Sequence, residues 1–71
     1  MDANERIRKL LVLGDNRVKQ GLPSKARETF EEALVLAREA GLEDTAGRLV
    51  AGRIEDLDRV EAGARKTPPS A

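Results

Sequence analysis

Residues 10–33 read LLVLGDNRVKQGLPSKARETFEEA, and this stretch decides the fold. On a wheel of about 3.6 residues per turn, Ile7, Leu10, Leu11, Leu13, Gly14 and Val18 fall on one stripe. Residues 3–20 are therefore expected to form a helix. Gly21 can take the left-handed conformation that closes a helix C-terminus. Pro23 suits the first turn of the next helix, where its missing N–H matters least. Residues 24–40 then form a second helix. Ala26, Phe30, Ala33, Ala37 and Ala40 line its buried stripe, flanked by Leu34 and Leu36. Alanines let another helix approach closely. Phe30 is the one large plug, and the space beside Gly14 is where it fits. The expectation is an antiparallel helix pair with small residues at the contact.

Working outward, Gly41 is a second capping glycine, and residues 43–64 read as a third helix. Glu43, Asp44 and Thr45 place acids and a hydroxyl at its start, where the helix dipole favours them. Ala46, Leu49, Val50, Ile54, Leu57 and Val60 form its apolar stripe, with Arg53 set in the middle. Glu55–Arg59 and Glu61–Arg65 are spaced as i,i+4 ion pairs. The tail RKTPPSA has adjacent prolines and no apolar anchor, so it is expected to be disordered. The chain thus divides into a domain over 1–64 and a tail over 65–71. The fold class is all-α, three helices.

Ten alanines and eighteen larger apolar residues make a thin core for 71 residues. Small domains usually add a disulfide, a metal or a partner chain. With no Cys and no His, disulfides and zinc are excluded. Thirteen basic residues balance thirteen acidic ones. A nucleic-acid binder would carry a basic excess for the phosphates. Phe30 is the only aromatic residue, so there is no platform for stacking bases. No apolar run approaches the roughly 20 residues that cross a bilayer. Asp2 and Glu5 stand where a secretion signal would be basic and apolar, so a cytoplasmic location is expected. Without His, Cys, Tyr or a glycine-rich phosphate loop, no enzyme, cofactor or small-molecule substrate is expected. Gly14-Asp15-Asn16 is not followed by the alternating oxygen ligands of a calcium loop.

The stretch resembles one tetratricopeptide repeat, a family of paired helices. Leu10 stands at the family's first large position. Leu13 and Gly14 match its Leu-Gly pair, and Ala26, Phe30 and Ala33 match its second helix. Arg17 replaces the family's tyrosine, and Arg38 replaces the proline that ends the second helix. Ala51-Gly52 echoes Leu13-Gly14 after 38 residues, against about 34 in the family. The resemblance implies one repeat followed by a capping helix, acting as a protein-interaction module. Some members hold a peptide carboxylate with Lys and Asn; Leu11 and Asp15 occupy those positions here and cannot do so.

A single repeat builds no concave groove of its own, since such folds rely on stacked neighbours. The stripe on the first helix is also wider than one neighbour can cover, which marks an interface. The expected partner-binding residues are Ile7, Leu11, Val12, Asp15, Val18, Val50, Arg53 and Leu57. A homodimer covers such a patch with itself. Arg53 would then meet an acid such as Asp15 or Asp56 of the second copy. Two other readings stand beside it. One is a subunit that docks on a single larger protein. The other is a three-helix DNA-binding domain, which the acids of RIEDLDRVE disfavour.

Overall fold

The computed structural model describes residues 2–66, with side chains as far as Val60. It is all-α: α1 covers Ala3–Lys19, α2 Pro23–Glu39 and α3 Ala46–Lys66, with no strand among the described residues. Asp2 caps α1, its carboxylate accepting from the Glu5 N–H at 2.9 Å. Both interhelical turns open with the same device. Gly21 (φ 77°) and Gly41 (φ 72°) adopt the left-handed conformation. The Gly21 N–H donates to the Val18 carbonyl at 3.0 Å, and the Leu22 N–H to that of Arg17 at 2.8 Å. Gly41 and Leu42 repeat the pattern on Arg38 and Ala37, at 3.1 and 2.7 Å. Two orphan carbonyls are thereby satisfied at each end.

α1 and α2 form the expected antiparallel hairpin, and α3 returns antiparallel to α2. Ala37, near the end of α2, lies beside Gly47 at the start of α3. At the other end of the pair, Arg27 of α2 bonds Asp58 of α3. α1 and α3 therefore run parallel, both on α2, and scarcely touch one another. Ile7, Leu11, Ala26, Phe30, Ala33, Ala37, Ala46, Val50 and Leu57 form the core. Phe30, 1% exposed, is the largest of its fully buried side chains. Gly14 is buried under the Phe30 ring, as the sequence leads one to expect. Thr29 is buried too, and its hydroxyl donates to the Lys25 carbonyl at 2.8 Å. The Arg17 Nε is enclosed with no hydrogen-bond partner among the described residues.

Several boundaries and exposures differ from the expectation. α3 begins at Ala46, not at residue 43. Leu42 is held by the turn, and its carbonyl accepts from the N–H groups of Thr45 (3.2 Å) and Gly47 (2.8 Å). Helical geometry starts only after that, so Glu43 and Asp44 precede the helix. The Thr45 hydroxyl donates back to the same carbonyl at 3.4 Å. α3 also runs to Lys66, past the expected boundary at 64. The rest of the expected tail, residues 67–71, lies outside the described residues, as do the side chains of the Glu61–Arg65 pair. Arg59 lies 3.8 Å from Asp56, one turn back, and not on Glu55. Ala40 and Leu13 were expected on buried stripes and are exposed. Ala40 is the C-cap residue of α2, where the chain already turns toward α3. Leu13 points to the flank of α1 away from α3.

Candidate protein-interaction groove

Because α1 and α3 are parallel and apart, a groove runs between them with α2 as its floor. It opens into a cavity at each end. The cavity near the C-termini of α1 and α3 measures about 350 Å³. α1 gives it Asp15, Val18 and Lys19, and α2 gives the edge of Phe30. α3 closes it with Arg53, Asp56, Leu57 and Val60. The cavity near the N-termini measures about 290 Å³, between Ile7, Arg8 and Leu11 of α1 and Thr45, Ala46 and Leu49 of α3.

At the edge of the C-terminal cavity an ion pair joins α1 to α3 across the groove. Arg53 Nε donates to Asp15 Oδ1 at 3.1 Å, and Nη2 donates to Oδ2 at 3.3 Å. This fork-on-fork geometry suits guanidinium and carboxylate. Asp15 was one of the two acids expected for Arg53, and it meets Arg53 within the same chain. Arg53 does not lie on the buried stripe at all. It stands on the flank of α3 facing α1, and both partners remain half exposed. Exposed pairs of this kind contribute little, about 0.2–1 kcal/mol. Asp15→Asn is therefore expected to lower the melting temperature by only a few degrees. The difference should shrink further when melting is repeated in molar salt, where the screening length is short.

The expected partner-binding residues separate into three groups. Ile7, Leu11, Val50 and Leu57 are core residues, covered within the single chain by α2 and Phe30. They are corrected from surface to interior. α2 takes up much of the stripe width on α1 that was expected to need a partner, while α3 scarcely touches α1. Val12 and Val18 are exposed, at 60% and 39%. Asp15 and Arg53 pair with each other. Two groove residues were missed. Leu49 and Val60, placed by their periodicity in the core of α3, are each 62% exposed. Together with Arg53 and Asp56 they form a separate row, with intervals of four, three and four residues. The core row of α3 is Ala46, Val50, Ile54 and Leu57. Wheel position alone does not tell the two rows apart, because they lie side by side and both carry large apolar residues. Arg53 was the signal that a second, solvent-facing row begins there.

No family model matches the chain, and neither a curated protein nor a solved structure matches it. Among the described residues, no group of three or more acidic side chains gathers where it could hold a metal ion. No helix of the described residues is long and apolar enough to cross a membrane.

Proposed function

We propose that the chain is a small protein-interaction module, built like one tetratricopeptide repeat with a capping helix, that acts through self-association as an adaptor, scaffold or assembly factor. The observation that carries this reading is the α1–α3 groove, open at both ends and edged by exposed Val18, Leu49 and Val60. Exposed apolar side chains gathered along one concavity are the usual mark of a protein contact. The charges within the groove are mixed in sign, Arg8, Lys19 and Arg53 standing with Asp15 and Asp56, as suits a protein surface better than a phosphate backbone. The acids Glu55, Asp56 and Asp58 on α3 speak against reading it as a DNA-recognition helix.

A second reading, docking on one larger protein, draws on Gly52. It echoes Gly14, but a Cβ built on Gly52 would meet nothing within 4 Å. In a stack of repeats, that is where a further helix would lie.

Sedimentation decides between the two readings. Val18 is partly exposed, so Val18→Glu is expected to leave the fold intact and to place a carboxylate in the groove. The unmutated chain should sediment as a dimer at tens of micromolar, and Val18→Glu as a folded monomer. A compact monomer for the unmutated chain would remove self-association and leave the docking subunit.

A further inference from the structure

The exposed row on α3 has an internal symmetry. Leu49, Arg53, Asp56 and Val60 read apolar, cation, anion, apolar. The midpoint of the row falls between residues 54 and 55, so Leu49 and Val60 are equally far from it, as are Arg53 and Asp56. Spacings of four, three and four residues are those of a coiled-coil seam. The geometry points to a two-fold dimer in which α3 packs antiparallel on α3 of a second copy, along this row; the inference rests on the self-association proposed above.

In that arrangement Leu49 of one copy meets Val60 of the other, and Arg53 meets Asp56, each contact occurring twice. A two-fold axis demands such self-complementarity. A parallel pairing would set Arg53 on Arg53 and Asp56 on Asp56, which like-charge repulsion disfavours. The cavities fit the same register. Leu49 and Val60 are roughly 16 Å apart along the helix at about 1.5 Å per residue. Each stands beside one cavity of the groove. Antiparallel pairing brings leucine, the larger side chain, to the cavity of about 350 Å³ beside Val60. It brings valine, the smaller, to the cavity of about 290 Å³ beside Leu49. Arg53 would then lie between two carboxylates, its own Asp15 and the second copy's Asp56.

The chain has no cysteine, so directed cross-linking reads the register directly. Two full-length variants are made, Leu49→Cys and Val60→Cys. Each is oxidised alone and in an equimolar mixture, with sedimentation of the unmutated chain run in parallel. The expected result is a disulfide-linked dimer in the mixture, containing one copy of each variant, and none from either variant alone. Asp56→Arg, at an exposed position where folding is not at stake, should raise the dimer Kd at least tenfold with little change in helical content. If the unmutated chain is a dimer, three results overturn the inference while self-association stands: linkage of either variant with itself, absence of the mixed link, or indifference of the dimer to Asp56→Arg. A monomeric unmutated chain overturns both.

Discussion

Phe30→Ala is expected to unfold the chain. The ring is 1% exposed, and it is the only large side chain that α2 buries fully. It covers Gly14 on one side and forms part of the floor of the groove on the other. Truncating a buried phenylalanine costs about 3–5 kcal/mol, part of it from the cavity left behind. The remaining α2 core is alanine, which cannot move in to fill the gap. A domain of this size has about that much stability in total. The expected outcome is loss of the helical circular dichroism signal at room temperature. A variant that melts within a few degrees of the parent would show that the hairpin does not depend on this ring.

Gly14→Ala should come close behind, against the trend of helix propensity. In an exposed helix the exchange would stabilise by close to 1 kcal/mol. At position 14 an added Cβ would lie 2.7 Å from Cζ and 2.8 Å from Cδ1 of Phe30, with Cε1 closer still. Carbon atoms do not approach so near. The ring is buried between the core and the groove cavity, so either it shifts toward the groove or α1 and α2 separate. Overpacking of this kind typically costs 1–3 kcal/mol, more than the propensity gain. Thermal melting is the measurement, with a large drop expected. A stabilised Gly14→Ala variant would remove the close crossing of α1 and α2, and with it the main likeness to a tetratricopeptide repeat.

The hairpin was legible in the sequence because its signals are local and agree with each other. Gly21 and Pro23 mark one turn, Gly41 marks the next, and the small residues of α2 coincide with the one glycine inside α1. The start of α3 was misplaced because Glu43, Asp44 and Thr45 look like a cap in any context. What decided the matter was Leu42, whose backbone is already committed to closing α2. The site was less legible than the fold. A wheel shows which residues share a face, and not how many neighbours that face will meet. Ile7, Leu11, Val50 and Leu57 looked like surplus apolar surface because spacing does not show that α2 covers α1 and α3 at once. Leu49 and Val60 looked buried for the converse reason. Arg53 was singled out as needing an acid and Asp15 was named as one, yet spacing gave no hint that the pair would close within one chain.

The alanine stripe of α2 has a consequence for entropy. Ala26, Ala33 and Ala37 are each 0% exposed, and they make up most of what this helix buries. Alanine has no rotamers to lose on folding, whereas a long side chain forfeits up to about 2 kcal/mol. Holding α2 in place thus freezes few internal rotations, which is how so few large apolar residues can suffice. The same economy leaves no play. A leucine could shift to another rotamer and absorb a neighbour's change of shape, but a methyl group fixed to the backbone cannot. Changes of volume along α2 must pass into the separation of the helices, and so into the width of the groove between α1 and α3.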